Sequence, residues 1–373
     1  MSTSKARLGG VLIPLAVWTL SVPVADGAFR LAGDRPSRDL QGLFVAVGDS
    51  GYKLGSNVHT WADFYTGRMD VYTDDLGLRC GPDRSSRTTR GDTVDVLFLG
   101  DSQGFGNLLN FDETIVGQIQ RQAAGRQLRM ANAGVGGHYL RNQLELAKWM
   151  HDKEQITIRK VVILLTPIMI QTAGRYNRVA VGSDGRLYSS KPSQLSKLAL
   201  WAKTRTVVYS RIRGAFRQVV GLRGMVGRLV GTQRDDPVVV QLFATDKVNE
   251  REAALVQILE ETRDWARSIG ASVDLVYTPL AAELDFGSVQ ETARLVGATV
   301  DADTPFGLAK EAAAEVGIGF LDLRPALTTV RRARQPVTME GDPHYGPAAS
   351  AASAELIWSF LFPQQNPGPE EGR

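Results

Sequence analysis

The segment Val94–Gly106, VDVLFLGDSQGFG, places a serine where a nucleophile belongs. Val94, Val96, Leu97, Phe98 and Leu99 form a short apolar run bounded by turn residues, the pattern of a buried strand in a parallel sheet. Gly100-Asp101-Ser102 ends that run and delivers Ser102 to the carboxyl edge of the sheet, where open α/β sheets bind ligands. A serine hydroxyl is a weak nucleophile until a base takes its proton. The chain has four histidines, His59, His138, His151 and His344. His344 stands in Glu340-Gly341-Asp342-Pro343-His344, just ahead of a helical pattern at Ala348–Phe362. An aspartate two residues earlier, in a turn stiffened by proline, can hold the ring in one tautomer and stabilise the cation formed when it accepts a proton. Taken alone, Asp342 could equally cap the turn and leave His344 on the surface; together with Ser102, the catalytic reading is favoured.

A third segment lies between them. Met130-Ala131-Asn132-Ala133-Gly134-Val135-Gly136-Gly137-His138 follows a strand-like stretch and precedes a helical pattern carrying Leu140, Leu144, Leu146 and Trp149. Glycine-rich turns at strand ends expose backbone N–H groups, the donors that an oxyanion hole needs.

In this order, GDS after the first sheet strand, N-A-G-x-x-G at Asn132–Gly137 and a terminal D-x-H before the last helix, the chain resembles the SGNH or GDSL hydrolases from Val94 to about Phe362. The resemblance implies Ser102 as nucleophile, His344 as general base and acid and Asp342 as its orienting partner. It also implies the backbone N–H groups of Ser102 and Gly137 as oxyanion donors, with Asp101 and Asn132 supporting the two turns. Two departures stand out. The family offers a third donor, an Asn in a G-x-N-D turn after the next strand; here Lys160–Thr166 runs into Pro167-Ile168-Met169-Ile170-Gln171 without one. Thr166, Gln171 and Asn177 are the substitutes at hand. The Asp-to-His spacing is also one residue shorter than the commonest family form.

A second strand-then-GDS segment, Leu43–Gly51, contains Ser50, but a turn-dense stretch follows it, without a helix or a glycine-rich partner turn. Ser102 is therefore preferred. Gly100-Asp101-Ser102-Gln103-Gly104 also fits the G-x-S-x-G elbow of α/β-hydrolases, but that fold places several strands before its serine and separates Asp from His along the chain.

The elements that must position these residues alternate. Strands are expected at Val94–Leu99, Leu128–Asn132, Val161–Thr166, Ser272–Tyr277 and Gly319–Leu323. Helices are expected at Asp112–Ala124, Tyr139–Lys153, Asn249–Ser268, Phe306–Val316 and Ala348–Phe362. This is an α/β pattern, a three-layer α/β/α sandwich around a five-stranded parallel sheet, flavodoxin-like as in the resembled family. At 373 residues, 43% of them hydrophobic, the chain can bury such a core with room for extensions.

Residues 1–27 read as a signal peptide or N-terminal membrane anchor: Lys5 and Arg7 precede an uncharged apolar run from Leu8 to Ala25. Export follows from the basic flank on the first side. Residues 28–90 read as a small β extension and linker packed on the catalytic domain, with strand, glycine turn and strand at Phe64–Thr73. Asp75-Leu76-Gly77-Leu78-Arg79 resembles a lead-in of membrane-associated members of the family. The catalytic domain spans 91–362 with an insertion at 168–245, and the Pro-, Gln- and Glu-rich tail 363–373 reads as disordered. Within the insertion, Gln171–Arg234 holds 13 Lys and Arg against one acid, Asp184, in a chain whose total charge is only +3. Amphipathic helices there suit a lid, an anionic membrane surface or a polyanionic polysaccharide. Nucleic acid is not expected in an exported protein. Cys80 is the only cysteine, so neither a disulfide framework nor a Cys-based metal site is possible; no metal and no cofactor are expected.

Together these readings describe an exported SGNH-type serine esterase or O-acyltransferase on acyl esters, acetyl above all, of envelope carbohydrate. Lipid or lysophospholipid esters are the chemical alternative. A non-catalytic polysaccharide-binding or assembly protein of the same fold is the alternative of another class.

Overall fold

A computed structural model describes residues 22–36, 38–47, 51–64, 67–83, 87–188, 194–209, 211–212, 237–246 and 248–363. Eight strands form one sheet: β1 (His59–Phe64), β2 (Gly67–Thr73), β3 (Arg79–Cys80), β4 (Val96–Gly100), β5 (Met130–Asn132), β6 (Lys160–Leu165), β7 (Ser272–Tyr277) and β8 (Gly319–Asp322). Their order across the sheet is β8-β7-β6-β4-β5-β3-β2-β1. The five strands from β4 to β8 are parallel, as expected. Numbered among themselves in chain order they run 2-1-3-4-5, the flavodoxin-like order, whose switch point lies between the first strand and the third. Here those are β4 and β6, and β4 runs directly into Ser102.

The helices sort onto two faces because alternate strand residues point to opposite sides. Leu97, Leu99, Val161, Ile163 and Leu275 pack with α3 (Leu140–Glu154), α6 (Val248–Ser268) and α7 (Thr304–Val316). Val96, Phe98, Val162, Leu164 and Val276 pack with α2 (Ile115–Ala123), α8 (Arg324–Arg332) and α9 (Pro347–Leu361). All five residues of β4 are buried, as befits a strand covered on both faces. Its expected first residue, Val94, belongs instead to a short parallel ladder of Thr93–Val94 with Thr157–Ile158. Asp95 interrupts the run: it accepts from the Arg129 N–H at 2.8 Å and from Arg159 at 2.7 Å.

The N-terminal strands do not lie on the parallel sheet as a separate piece; they continue it. β3 pairs antiparallel with β5 through Arg79 and Asn132, and the β1–β2 hairpin follows outward. The edge of β5 offered unpaired N–H and C=O groups, and β3 covers them. A further hairpin, Phe44–Val47 with Gly51–Leu54, buries Tyr52 and Leu54 in the main core.

After β6 come α4 (Pro167–Gln171), a small hairpin of Ala180–Val181 with Leu187–Tyr188, and α5 (Gln194–Arg205). The hairpin docks on the N-terminal segment, where the Gly42 and Phe44 N–H groups donate to the carbonyls of Asp184 and Gly185. On α5, Leu198 and Trp201 are exposed rather than turned into a core.

Among the described residues no helix is long and apolar enough to cross a membrane. The expected signal or anchor falls largely on residues 1–21, outside the described residues, as do Ser50, most of the basic stretch at 213–236 and the tail beyond 363.

Candidate active site

Gly100 ends β4 where any side chain would collide with the following turn: a Cβ there would lie 2.9 Å from the Gly104 Cα. Asp101 then caps the short helix α1 (Ser102–Phe105), accepting from the Gln103 N–H at 2.9 Å. Thr166, at the end of β6, donates its hydroxyl to the other carboxylate oxygen at 2.6 Å. Burial pushes the Asp101 pKa up, while these two bonds favour its ionised form. Asp101 thus ties the ends of the two strands flanking the switch point. Gln143 on α3 braces the same turn, accepting from the Gly100 N–H and donating to the Gly100 carbonyl. Ser102 is half-buried and opens α1, so its N–H has no intrahelical acceptor.

The glycine-rich turn packs directly on α1. Asn132 donates to the Gly104 carbonyl at 3.1 Å and accepts from the Gly134 N–H at 2.9 Å. Gly134 is required by close approach: a Cβ there would sit 2.5 Å from the Gly104 carbonyl carbon. Gly137 adopts φ +82°, a left-handed conformation that disfavours side chains. Two side chains hold its peptides: Tyr52, which the sequence alone did not single out, and Asn177, which it offered only as a substitute oxyanion donor. Tyr52 donates its hydroxyl to the Gly136 carbonyl at 3.1 Å, which turns the Gly137 N–H of the same planar peptide the opposite way. Asn177 donates to the Gly137 carbonyl at 2.6 Å and so holds the next peptide. Burial pushes the Tyr52 pKa up, keeping the hydroxyl protonated and able to donate.

Tyr52→Phe should therefore lower kcat for an ester about tenfold with little change in KM, less than the ~10²–10³ typical of deleting an oxyanion donor. Steady-state kinetics check this; a raised KM with unchanged kcat would assign Tyr52 to substrate contact instead.

His344 lies on a loop stitched to α1. The Tyr345 N–H donates to Gln103 Oε1 at 3.1 Å, and the Tyr345 hydroxyl donates to the Pro279 carbonyl at 2.5 Å. Asp342 Oδ1 accepts from both the backbone N–H of His344 (3.0 Å) and its Nδ1 (2.5 Å). With Nδ1 engaged, Nε2 is the nitrogen left to exchange protons, and it has no hydrogen-bond partner among the described residues. His344 also lies near enough to Asp101 for its charge to favour that carboxylate. The structure thus gathers Ser102, Asp101, Asn132, Gly137, Asp342 and His344 around the carboxyl ends of β4 and β5.

The other histidines are engaged elsewhere. His59 stacks on Tyr72 and pairs with Asp70, and His151 bonds the Ile156 carbonyl. His138 is buried edge-on against Tyr52, and its Nε2 donates to the Tyr52 carbonyl at 2.8 Å.

Burial pushes the His138 pKa down to about 4, so the folded ring is neutral, whereas an unfolded histidine titrates near ~6.5. Between those values the unfolded chain takes a proton that the folded one refuses. The stabilising contribution is complete above the unfolded pKa and is lost as pH falls through this window, in all by about 3 kcal/mol. His138→Gln, which keeps an N–H donor but does not titrate, should show a correspondingly shallower acid-side loss in denaturant titrations. Parallel loss in both proteins would overturn this assignment.

Each of the three candidate substitutes for the missing donor already has a hydrogen-bond partner. The Thr166 hydroxyl is committed to Asp101, Gln171 reaches Gln241, and Asn177 serves the Gly137 carbonyl. Thr166 itself stands just past β6 as the N-cap residue of α4 rather than within the strand.

The lead-in acquires a structural role. Asp74 is buried and accepts from the N–H groups of Leu76, Leu78 and Thr88. Arg79, 1% exposed, carries its guanidinium to the turn that follows Ser102 and donates to the carbonyls of Phe105, Gly106 and Leu109, the Gly106 bond at 2.7 Å. Only the conjunction of an arginine with a resembled lead-in hinted at this in the sequence. Among the described residues, no cluster of His, Cys, Asp or Glu is placed to hold a metal ion.

The chain matches no protein-family model and no curated protein. Solved structures resemble it at a distance. The lipase/acylhydrolase from Enterococcus faecalis is 14% identical over 74% of this chain and 100% of that one, with a TM-score of 0.38. An acetyl xylan esterase from Geobacillus stearothermophilus is 14% identical over 74% and 95%, TM-score 0.37. A member of the lipolytic G-D-S-L family from Veillonella parvula is 12% identical over 74% and 100%, TM-score 0.37. These similarities are too distant to carry a functional assignment, which rests on the site itself.

Proposed function

We propose that this chain is a serine ester hydrolase of the SGNH type. The observation that carries the reading is the Asp342–His344 pair, whose imidazole is oriented through Nδ1 on a loop hydrogen-bonded to the helix that Ser102 opens. In this mechanism, His344 Nε2 takes the Ser102 hydroxyl proton as Oγ bonds to the ester carbonyl carbon. The carbonyl oxygen becomes an oxyanion facing the N–H groups of Ser102 and Gly137. The tetrahedral adduct collapses with release of the alcohol, which receives the proton from His344. Water or a sugar hydroxyl then attacks the acyl-serine by the same steps in reverse. Asp342 keeps the ring in the productive tautomer and stabilises the imidazolium.

The substrate class we assign is small acyl esters, acetyl foremost, on envelope carbohydrate. The apolar N-terminal run supports export, either as a cleaved signal or as an anchor, and the basic insertion supports an anionic partner. A non-catalytic glycan-binding protein on this fold is the second reading, favoured by the commitment of Thr166 to Asp101 where a third oxyanion donor is wanted.

A fluorophosphonate probe and p-nitrophenyl acetate separate the two readings. The wild type is expected to be labelled on the Ser102 peptide and to release nitrophenol, and Ser102→Ala to do neither. An unlabelled wild type with no activity above that of the variant would sink the enzyme reading.

A further inference from the structure

Between the N-terminal strands and the basic insertion lies an open cleft of about 1040 Å³. Arg38 and Trp61 stand among its lining residues from the N-terminal segment, and Arg178, Trp201 and Arg205 among those from the insertion. Among the described residues its lining holds one carboxylate, Asp184, and that is already taken: Arg186 donates to it at 2.7 Å and the Tyr188 hydroxyl at 2.6 Å. Arg178 and Arg205 are exposed and have no carboxylate partner among the described residues. Arg38 lies over the Trp61 ring, 4.4 Å from its centroid, so one face of that indole is occupied. The Trp201 ring is different: 58% of the residue is exposed, with no aromatic or cationic partner among the described residues. The cleft is therefore a concave surface with uncompensated guanidinium groups and one unoccupied indole.

Each feature selects a part of a ligand. A guanidinium fork matches a carboxylate in bidentate geometry. A flat indole with an apolar face and a polar edge suits the C–H face of a pyranose ring, which is apolar on one side and ringed by hydroxyls. The remaining lining, including Gln41, Ser183 and Thr204, is polar and can meet those hydroxyls. These exposed side chains lie along the walls of a cleft, which a strand can enter and a flat bilayer surface cannot. The cleft is also tied to the candidate active site: Asn177, which holds the Gly137 carbonyl, immediately precedes Arg178.

We propose that this cleft binds a carboxylate-bearing glycan strand, with Trp201 stacked on a sugar ring and Arg178 and Arg205 on its carboxylates. The proposal deepens the carbohydrate-ester reading and rests on it, yet its test reads binding and not turnover, so the two fail separately.

The test titrates the full chain, by calorimetry, with oligogalacturonate, with a neutral maltooligosaccharide of equal length, with polyglutamate and with phosphatidylglycerol vesicles. Oligogalacturonate is expected to bind at least about tenfold more tightly than either soluble control, a difference of about 1.4 kcal/mol. Trp201→Ala and the double variant Arg178→Gln/Arg205→Gln should each weaken it about tenfold, and added salt should weaken binding of the wild type more than that of the double variant. Trp201→Phe, which retains a ring, should recover part of the loss; because these side chains are exposed, the variants are expected to keep the wild-type fold, checked by circular dichroism. Equal affinity for polyglutamate would reduce the cleft to simple charge attraction and overturn the proposal. Unchanged binding in folded Trp201→Ala would do the same, as would vesicle binding abolished by these substitutions while oligogalacturonate binding persists.

Discussion

Ser102→Ala is expected to lower kcat/KM for p-nitrophenyl acetate by roughly 10⁴–10⁶-fold, down to the slow hydrolysis that the remaining oxyanion donors and binding surface support. The size follows from the site's design. Without Oγ no acyl-enzyme forms, and the carefully oriented imidazole has no nucleophile to deprotonate. His344→Ala should cost nearly as much, because the serine hydroxyl then has no base. Asp342→Asn should cost about one to two orders of magnitude less, since the ring is retained and only its tautomer and its cation lose support. The double variant Ser102→Ala/His344→Ala should be no worse than either single one, because the residues act as a unit. Additive losses would show that His344 acts independently of Ser102 and would remove it from the proposed mechanism. The measurement is steady-state hydrolysis together with the rate of phosphonate labelling.

The largest stability effect is expected at Arg79. Its side chain is 1% exposed and directs the guanidinium to three backbone carbonyls rather than to a carboxylate. Burial pushes its pKa down to about 9, a sign of how strongly the surroundings disfavour charge there. The Phe105 ring, 4.3 Å from the guanidinium carbon, supplies a further favourable contact. Arg79→Met would fill much of the volume and remove an unpaired buried charge, but it leaves the carbonyls of Phe105, Gly106 and Leu109 without this donor. An orphaned buried carbonyl costs ~1–3 kcal/mol, so a net loss of about 3–5 kcal/mol is expected after relaxation. Urea titration should show a lower midpoint at an unchanged slope. Arg79→Lys keeps the charge but not the planar fork and should fall between the two. A midpoint unchanged in Arg79→Met would mean that the loop after α1 is held by other contacts. Because that loop follows Ser102, the proposed nucleophile, the same variant is expected to lose phosphonate reactivity even where it remains folded.

The parts of this protein legible in its sequence are those set by short-range patterns. Apolar runs bounded by Gly, Pro and polar turns placed all five parallel strands to within two residues of their observed ends, because a strand covered on both faces must be apolar throughout. The 3.6-residue periodicities likewise marked five of the six helices that pack against those strands; α8 (Arg324–Arg332) was not among the expected ones. GDS, the glycine turn and D-x-H were legible as local signatures, each pinned by a cap or turn bond spanning only a few residues, such as Asp101 with Gln103 or Asp342 with His344.

What surrounds those signatures was decided only by the tertiary structure. Tyr52 reaches Gly136, Asn177 reaches Gly137, Arg79 reaches Phe105–Leu109, and Gln103 meets Tyr345; each is a side chain bonded to backbone far away in the chain. No periodicity encodes such pairs, since a Tyr or Gln is equally compatible with many surroundings until the sheet order is set. That order in turn depends on which strand edges find partners. The N-terminal strands turned out to extend the main sheet because β5 had an open edge there, not because their own residues named a neighbour. The sequence by itself therefore determined the α/β alternation and the residues able to do chemistry. The assembled fold decided which side chains brace them, through long-range bonds that exist only once the strands are in place.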